Sequence, residues 1–391
     1  MEIKPEIETF AKIKVVGVGG SGNSAINRMI AAKIRGVEFI AVNTDVQALH
    51  YCQAPIKLHI GKSVTRGLGA GMDPEMGRKA AEESQNEIRE LLKNTDMVFI
   101  TCGLGGGTGS GGAPIVADIA RELGALVVAV VTKPFSFEGA QRKVIAEKAH
   151  DELASRVDTI ITIQNDRLLQ IIDKKTSLLE AFSIVDDVLR QGIAGIAEII
   201  SVPGLINVDF ADVKSVMKNQ GSALMGIGEA SGENRAIEAA KAAISSPLLE
   251  LSMDGAKGIL FIVSGDKTLG MHEITEAAKI ITSSADPDAR IIFGAGIDEG
   301  LEDRVKITVV ATGFDSEAKP KRPNIEDIGR KPDTMMKVKD FESKKDTIPA
   351  KPATPQVTAV PKAKEDYRAP LDNTKPEDDL DIPAFIRKKM M

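Results

Sequence analysis

The sequence predicts an α/β protein with a doubly wound parallel sheet, followed by a smaller α+β unit and a polar C-terminal tail. Short apolar runs alternate with segments of helical spacing, and each run is apolar throughout rather than at every second residue. Continuous apolar runs are typical of parallel strands that are covered on both faces. Strands interleaved with helices indicate a doubly wound sheet.

The first half of the chain supplies the parallel sheet. Its predicted strands are Lys12–Val18, Val37–Val42, Asp96–Thr101, Ala125–Thr132 and Val157–Ile163. Helical segments are predicted over Asn23–Arg35 and Ala113–Leu123. A long helix follows over Ser177–Ile200, and because apolar side chains cover most of its circumference we expect it to be buried between two layers.

A second α+β unit follows this long helix. Its predicted strands are Ser222–Ala230, Gly258–Ser264, Arg290–Ile297 and Arg304–Thr312, and its predicted helices are Asn234–Ile244 and Thr268–Thr282. We therefore place a domain boundary along the long helix.

Composition changes sharply near Ser316. The chain has 18 prolines, and ten of them lie from Pro320 onward, where Lys, Asp, Glu and Thr are also frequent. Such a segment buries too little apolar surface to offset its ordering entropy, so a disordered linker is predicted. The end of the chain again combines acids with large apolar side chains, which is typical of a peptide that folds on a partner, although a frayed tail has the same composition. The predicted parts are a flexible N-terminus (1–11), a nucleotide-binding domain (12–176), a central helix (177–201), an α+β domain (202–316), a linker (317–376) and a partner-binding tail peptide (377–391).

The overall composition disfavours several classes of protein. The formal net charge is -6 and the pI about 5.5, so the chain lacks the basic excess that binding a nucleic-acid backbone requires. The two cysteines and four histidines are scattered, which disfavours a zinc site or a disulfide framework. The N-terminus lacks the pattern of a signal peptide, and no apolar run is long enough to span a bilayer. A soluble, cytoplasmic protein is therefore expected.

The first glycine-rich turn runs from Gly17 to Ser24 and separates a strand from a helix. Backbone without side chains can approach a phosphate closely, and the following helix offers free N–H groups and the positive end of its dipole. The turn is also a literal G-x-G-x-x-G, and Asp45 follows at the end of the next strand. At this point a dinucleotide-dependent oxidoreductase is a competing interpretation.

The second turn favours a nucleoside triphosphate. Seven of the ten residues from Gly103 to Gly112 are glycine, whereas a structural turn needs one or two. The third turn, Gly67–Gly71, could close over a terminal phosphate, although short glycine-rich turns are common. No P-loop lysine motif is present. Backbone dipoles and a metal ion, Mg²⁺, are therefore expected to offset the phosphate charge, and no protein residue is predicted as a metal ligand.

These motifs resemble the tubulin and FtsZ family of GTPases, and specifically the bacterial cell-division members. Residues 106–111 (GGTGSG) resemble the signature loop of that family, and the order of later motifs is also similar: residues 133–139 (KPFSFEG), 165–166 (ND), 207–212 (NVDFAD) and 381–385 (DIPAF). The resemblance covers residues 12–315 and then the tail. It implies GTP and GDP as ligands and assembly-stimulated hydrolysis of GTP to GDP and phosphate.

The resemblance, together with the glycine turns, assigns the nucleotide site residue by residue. The expected nucleotide-binding residues are Gly19, Gly20, Ser21, Gly22, Asn23, Ser24, Asn43, Ala70, Gly71, Gly103, Gly106, Gly107, Thr108, Gly109, Ser110, Pro134, Glu138, Arg142, Asn165, Phe182 and Asp186.

Within this set, Glu138 and Arg142 match the family's ribose contacts, although their spacing is also that of an ordinary helical ion pair. Asn165, Phe182 and Asp186 match its base contacts. The Asp186 carboxylate could accept N1–H and the exocyclic amino group of guanine, a donor pair that adenine lacks. Periodicity alone would assign Phe182 to the core.

Hydrolysis is assigned by the resemblance to Asp209 and Asp212, with Asn207 shaping the loop. The local pattern alone favours helix capping for both acids. The resemblance implies that this loop enters the nucleotide site of the next subunit in a head-to-tail homopolymer at the mid-cell division site. It also implies that residues 378–387 bind division adaptor and regulator proteins, so that contact with the membrane is only indirect. A non-catalytic GTP-binding scaffold remains an alternative.

Overall fold

The computed structural model describes residues 11–168, 176–202, 204–246 and 253–314. Within these residues the chain forms ten strands that join in one mixed sheet. The strands are β1 (Ile13–Val18), β2 (Val37–Asn43), β3 (Ile56–His59), β4 (Met97–Gly103), β5 (Leu126–Lys133), β6 (Thr159–Gln164), β7 (Gly221–Ser231), β8 (Ala256–Gly265), β9 (Ala285–Ile297) and β10 (Arg304–Thr312).

Twelve α-helices accompany these strands in the described part of the chain. They are α1 (Gly19–Ala31), α2 (Val46–Tyr51), α3 (Lys62–Thr65), α4 (Pro74–Glu83), α5 (Gln85–Leu92), α6 (Thr108–Glu122), α7 (Ala140–Ala154), α8 (Asn165–Leu168), α9 (Leu178–Ser201), α10 (Phe210–Met217), α11 (Arg235–Ile244) and α12 (Met271–Thr282). None of the helices in the described ranges is long and apolar enough to span a membrane.

The first six strands are all parallel and lie in the order β3-β2-β1-β4-β5-β6. This is the doubly wound order of nucleotide-binding α/β proteins. Val15 and Val16 are neighbours on β1 but belong to different apolar clusters. Successive side chains of a strand point to opposite faces, so the sheet is buried on both sides, as the uninterrupted apolar runs predict.

Strand β7 connects the parallel sheet to the second group of strands. Its first residues, Gly221–Ala223, pair in parallel with β6, and residues 224–231 pair antiparallel with β10. Strands β8 and β9 complete the order beyond β10. The predicted second α+β unit is therefore present, and it continues the sheet of the first.

Helix α9 crosses the molecule between the two groups of strands. Ser177 and Glu180 form a capping box at its start. Val185, Leu189 and Ile193 are buried in one cluster with residues of both groups of strands, as a helix that is apolar on most faces requires. A Cβ added to Gly36, which precedes β2, would lie 2.3 Å from the Ser201 Cβ. Helix α9 therefore ends beside the amino-terminal edge of the parallel sheet.

The helix starts that differ most from the sequence prediction are those of α1 and α6. Helices α1 and α6 begin at Gly19 and Thr108, inside the glycine turns, whereas the apolar periodicity places their starts at Asn23 and Ala113. The glycine turns thus form the first helical turns rather than loops before them. The predicted linker (317–376) and tail peptide (377–391) lie outside the described residues.

Candidate nucleotide-binding site

A cleft of about 340 Å³ lies at the carboxyl ends of the parallel strands. Its walls come from the ends of β1, β4 and β5, the first turns of α1 and α6, and one face of α9. This is where a doubly wound sheet presents loops from several strands to one ligand. Two cavities of about 590 and 630 Å³ elsewhere in the described residues contain none of the three glycine turns.

The floor of the cleft consists of two helix starts. No side chain of the described residues caps the first turn of α1 or of α6. The first N–H groups of a helix lack partners within the helix, and they coincide with the positive end of its dipole. Two such helix starts facing one cleft make an anion site suited to a chain of phosphates.

The glycines of these turns have two different roles. A Cβ at Gly22 would lie 2.4 Å from the Thr101 carbonyl oxygen, and one at Gly111 would lie 1.9 Å from the Pro74 carbonyl oxygen. Those glycines allow the helices to pack closely on neighbouring backbone. By contrast, a Cβ at Gly20 or Gly106 would meet no protein atom within 4 Å, and both residues line the cleft. Their missing side chains leave room for a ligand.

The third glycine turn supports the second from outside the cleft. A Cβ added to Gly107 would lie 2.8 Å from the Ala70 Cβ, so the two turns pack directly on each other. The Thr44 and Thr108 hydroxyl oxygens lie 2.6 Å apart, and the Gly69 N–H donates to the Thr44 carbonyl at 3.4 Å. The conformation of the third turn is therefore tied to Thr108 on the cleft wall.

The other end of the cleft is formed by an asparagine, an aromatic ring and a carboxylate. Phe182 is 39% exposed, and its ring meets the ring of the buried Phe135 edge to face, with 5.4 Å between centroids. Asn165 is 5% exposed, and its Oδ1 has no hydrogen-bond partner within the described residues. A buried acceptor without a partner is costly, and the N–H group of a base could satisfy it.

Asp186 is held by a residue of α1. Arg28 Nε donates to Asp186 Oδ2 at 2.8 Å, and the Asp186 side chain is 14% exposed. Burial raises the pKa of Asp186 above its ordinary value, and Arg28 opposes that rise by its hydrogen bond and its charge. Arg28 does not line the cleft. It supports the carboxylate from behind.

Glu138 and Arg142 line the middle of the cleft as a pair. Arg142 Nη1 donates to Glu138 Oε2 at 2.8 Å, and the Phe135 N–H donates to Glu138 Oε1 at 2.9 Å. The ion pair expected from their spacing is therefore present, although Glu138 lies in the turn before α7 and only Arg142 is on the helix. It also fixes both polar heads on the cleft wall, where hydroxyl groups of a sugar could bind them.

The cleft brings together fifteen of the predicted binding residues: Gly19, Gly20, Ser21, Ser24, Gly103, Gly106, Gly107, Thr108, Gly109, Pro134, Glu138, Arg142, Asn165, Phe182 and Asp186. Six predicted residues do not line it: Gly22, Asn23, Asn43, Ala70, Gly71 and Ser110.

Three of these six are buried polar residues that shape the turns. With its amide oriented to suit its neighbours, Asn23 donates to the carbonyl oxygens of Gly17 and Gly19 at 2.9 and 3.2 Å, and it accepts from Asn43 Nδ2 at 3.0 Å. The Ser110 hydroxyl accepts from the Gly105 N–H at 3.0 Å. They fix the backbone whose N–H groups face the cleft.

Sequence reasoning did not identify several residues at the cleft, namely Val18, Leu104, Thr132, Val185 and Leu189 in its lining and Arg28 behind it. Val185 and Leu189 could have been found, because they lie three and seven residues after Phe182 on one face of α9. Arg28 had no local signal, since its partner is 158 residues away.

The predicted catalytic residues lie at the far end of α9. Asp186 and Ser201 are fifteen residues apart on this helix, which corresponds to about 22 Å along its axis, and the loop with Asn207 follows that end. Asn207 Oδ1 accepts from the Gly204 N–H at 2.5 Å, and Ile206 exchanges two backbone hydrogen bonds with Ala295. This loop is therefore fixed at the edge of the molecule opposite the cleft.

Both aspartates of this loop occupy the capping positions that the local pattern predicts. Asp209 is the N-cap of α10, and its Oδ1 accepts from the Ala211 N–H at 3.2 Å. Asp212 lies in the first turn. Both residues are exposed, so neither carboxylate is used up by contacts within the chain.

A divalent cation would need ligands beyond the protein side chains at this site. In the described ranges no group of three or more His, Cys, Asp or Glu side chains could hold a metal ion. The glycine turns contribute hydroxyl groups of Ser21, Ser24 and Thr108. This donor set fits Mg²⁺, which keeps several waters and binds mainly through phosphate oxygens.

Comparison with known proteins identifies the class to which this fold and cleft belong. Residues 12–173 match the GTPase domain of the Tubulin/FtsZ family, and residues 221–315 match the C-terminal domain of the FtsZ family. The molecule is thus a tubulin-like GTPase, a class in which GTP and GDP bind and GTP is hydrolysed. This removes the grounds for a dinucleotide-dependent oxidoreductase.

Solved structures narrow the class further. An empty FtsZ dimer from M. jannaschii is 48% identical in sequence and superimposes with a TM-score of 0.76. The match covers 78% of this chain and 89% of that chain. The chain belongs to the FtsZ family. A point mutant of M. jannaschii FtsZ gives the same identity and TM-score, with 92% of that chain covered.

A more distant match shows the same fold. The GTPγS-bound protofilament of CetZ2 from Haloferax volcanii is 22% identical, with 77% of this chain and 92% of that chain covered and a TM-score of 0.66. The predicted fold class and family are therefore confirmed.

Proposed function

We propose that this chain is a GTP-dependent polymerising protein of bacterial cell division, which hydrolyses GTP at the contact between successive subunits. Family membership supports GTP binding and filament formation in general. The observation that carries the finer proposal is the separation of about 22 Å along α9 between the base end of the cleft and the acidic loop. An acid that acts on the nucleotide must then come from another copy.

Within the proposed site, the phosphates lie on the first turns of α1 and α6, and the base lies against Phe182. Gly20 and Gly106 leave the space for the phosphates, and Asn165 and Asp186 accept the N–H groups of guanine. Mg²⁺ would be held among the phosphates and the hydroxyl groups of Ser21, Ser24 and Thr108, and when bound it would neutralise part of the phosphate charge. Glu138 and Arg142 orient the ribose.

Asp209 and Asp212 orient and polarise the attacking water in the cleft of the neighbouring subunit, and the Asn207 hydrogen bond fixes the loop for this task. The single capping hydrogen bond that Asp209 accepts from the Ala211 N–H leaves carboxylate lone pairs available, and Asp212 is exposed. Hydrolysis removes the terminal phosphate from the contact and loosens it.

Exposed apolar side chains at both ends of the molecule support a head-to-tail contact. Leu68 and Tyr51, near the cleft, are 86% and 74% exposed, and Leu205, near the acidic loop, is 58% exposed. Apolar side chains on two opposite faces suit a heterologous contact, which builds an open filament.

Phosphate release from GTP, measured over a range of protein concentrations with Mg²⁺ and with ATP as a control, tests the proposal. We expect turnover per molecule near zero below a threshold concentration and a rise above it, with ATP inert. Asp212→Asn should bind GTP normally but lose turnover, whereas Glu87→Gln, which removes an exposed acid on α5, should match the wild type.

Turnover per molecule that is independent of concentration would mean that each chain has a complete site. An active Asp212→Asn variant would favour the non-catalytic role of this loop, in which both aspartates only cap α10. A wild-type protein that binds GTP and assembles but, like Asp212→Asn, releases no phosphate would favour a GTP-binding scaffold.

The cellular part of the proposal concerns the tail. Residues 378–387 recruit division adaptors and regulators at mid-cell, and the tether through residues 317–376 raises their local concentration at the filament. Deleting residues 377–391 should leave GTP turnover and assembly unchanged but abolish binding of membrane-bound division partners. Unchanged binding would end this assignment.

A further inference from the structure

We propose that Arg28 is a positioning residue for base specificity: it holds Asp186 in the ionised form that accepts hydrogen bonds from guanine, and its loss admits adenine. The inference rests on the proposed function, because Asp186 must contact the base. It adds a residue outside the cleft and a chemical reason for the choice between purines.

The geometry places Arg28 behind the carboxylate and leaves the front free. Arg28 Nε donates to Asp186 Oδ2 at 2.8 Å. Asp186 lines the cleft, whereas Arg28 does not. A carboxylate has about four lone-pair positions on its two oxygens, so one hydrogen bond from behind leaves both oxygens able to accept from a base.

The same helix that binds phosphate also supplies this cation. Helix α1 begins at Gly19 on the cleft floor, and Arg28 lies in its last turn, about 13 Å further along the axis. Helices α1 and α9 pack against each other along this stretch. Helix α1 therefore fixes the distance between the phosphate-binding turn and the arginine that holds Asp186.

The charge on Asp186 decides whether guanine or adenine forms matching hydrogen bonds with it. Guanine presents N1–H and an amino group, two donors that match the two acceptors of an ionised carboxylate. Adenine presents the N1 acceptor beside an amino donor, and a protonated carboxyl, with one donor and one acceptor, matches that pair. Discrimination against adenine therefore requires the carboxyl to stay ionised.

The surroundings of Asp186 work against ionisation except for Arg28. Burial raises the pKa of Asp186, and the Arg28 hydrogen bond and charge lower it. The other charged side chains near it are already paired: Glu138 with Arg142 on the cleft wall, and Asp187 with Arg190 on α9. Without Arg28, burial acts unopposed and the carboxyl takes up a proton at a higher pH.

The test compares GDP and ADP as competitors for a fluorescent GDP analogue bound to the full chain, between pH 5.5 and 8. We expect the wild-type ratio of affinities to stay nearly constant. In Arg28→Gln the ratio should fall roughly tenfold for each pH unit below the new pKa of Asp186. Arg89→Gln removes an arginine whose side chain is as exposed as that of Arg28 and which is paired with Glu122 outside the cleft, and it is the matched control.

Two further variants separate this role from a structural one. Arg28→Lys keeps the charge and should restore most of the selectivity at pH 7. It also carries the test if Arg28→Gln does not fold, because a flexible ammonium holds the carboxylate less firmly and should give a weak pH dependence where the wild type shows almost none. Asp186→Asn should lose selectivity at every pH, since an amide does not titrate.

Each outcome distinguishes this inference from the proposed function. Wild-type protein that does not prefer GDP to ADP would overturn the proposed function itself. A wild type that prefers GDP, with Arg28→Gln and Arg28→Lys both showing the wild-type ratio at every pH, would overturn the role of Arg28 alone. A loss of selectivity that appears only as the pH falls, and only when Arg28 is changed, supports it.

Discussion

At the scale of single residues, the missing side chains of the phosphate turns are as informative as those present. Gly22 and Gly111 are required by neighbouring backbone, so a substitution there disturbs folding. Gly20 and Gly106 face open space in the cleft, and the protein itself does not need them to be glycine. The sequence alone cannot separate the two groups, because both occur in the same short motifs.

Gly106→Ala should therefore weaken nucleotide binding strongly without destabilising the protein. Its Cβ meets no protein atom within 4 Å, but it occupies space where the phosphates approach the backbone. We expect GDP affinity to fall by at least about tenfold, the effect of losing roughly 1.4 kcal/mol of contacts. Equilibrium binding and thermal unfolding measure the two effects separately.

Gly270→Ala is the control for this prediction. Gly270 precedes α12 with φ -90, far from the cleft, and its added Cβ would meet only Glu273 Oε2, at 3.6 Å. It should change neither binding nor stability appreciably. Normal GDP binding by Gly106→Ala would show that the phosphates lie elsewhere.

Phe182 and Asp186, at the end of the cleft proposed to bind the base, show that helical periodicity cannot identify ligand-binding residues. Phe182 lies on the apolar face of α9, which predicts a core residue, yet its ring is 39% exposed and lines the cleft. A helical stripe reports only that a face is covered, and it cannot tell whether protein or ligand covers it. The neighbouring Asp186 was the useful signal, because a carboxylate on such a face requires a partner.

At the scale of elements, the strands were the most predictable part of the fold. Each predicted strand is present, with ends that differ by at most five residues. In the parallel sheet the reason is that a strand buried on both faces must be apolar along its whole length. Strand β3 and helices α2 to α5 were not predicted. They lie over residues 46–92, where short amphipathic elements with many charged residues give no long apolar run.

Long-range polar networks also escape prediction, and Arg235 provides the clearest case. It begins α11, is only 6% exposed, and bonds to Glu273 at 2.7 Å, Thr268 at 2.9 Å and Asp303 at 3.0 Å. These contacts join α11, α12 and the loop before β10. These partners are 33 to 68 residues away in sequence, so no local pattern reveals them.

Arg235→Ala should destabilise this part of the fold by about 3 kcal/mol, because it leaves partly buried carboxylates without a cation. Arg304→Ala, which breaks an exposed pair with Glu229, should cost at most about 1 kcal/mol. Urea unfolding of both variants at pH 7 measures the difference. Equal effects would mean that the Arg235 network adds no more than a surface ion pair.

The same network predicts an acid dependence with a defined sign. The hydrogen bond from Arg235 lowers the pKa of Glu273 below its ordinary value. A group with a lowered pKa in the folded state stabilises the protein above its unfolded pKa, and this stabilisation is lost as the pH falls through the folded value. Wild-type stability should thus decline more steeply in acid than that of Arg235→Ala.

At the scale of the whole molecule, the important feature is the distance between the nucleotide cleft and the acidic loop. The cleft lies at the carboxyl edge of the parallel sheet, and the acidic loop lies beyond the far end of α9. The sequence predicts both motifs, but their separation depends on α9 crossing between two groups of strands. That arrangement results from packing over the whole chain and has no local signature.

Complementation between two inactive variants follows from this separation. Asp212→Asn keeps an intact cleft but lacks the acid, and Gly106→Ala keeps the acid but has a blocked cleft. If a Gly106→Ala subunit docks its acidic loop on the GTP-loaded cleft of an Asp212→Asn subunit, one complete site forms at that contact. Equal mixtures should then release phosphate well above the sum of the separate variants, at the same total concentration.

The geometry limits how much phosphate release the mixture can restore. A Gly106→Ala subunit has an empty cleft of its own, so it cannot present nucleotide to a further neighbour and the mixed filament stops there. The restored rate should therefore rise with the Gly106→Ala fraction, pass through a maximum and fall as nucleotide-loaded clefts become scarce. The control is a double variant that carries both changes in one chain. Mixed with either single variant, it should not restore phosphate release. Mixtures that show only the sum of the two separate rates would mean that cleft and acid do not meet across a contact between copies.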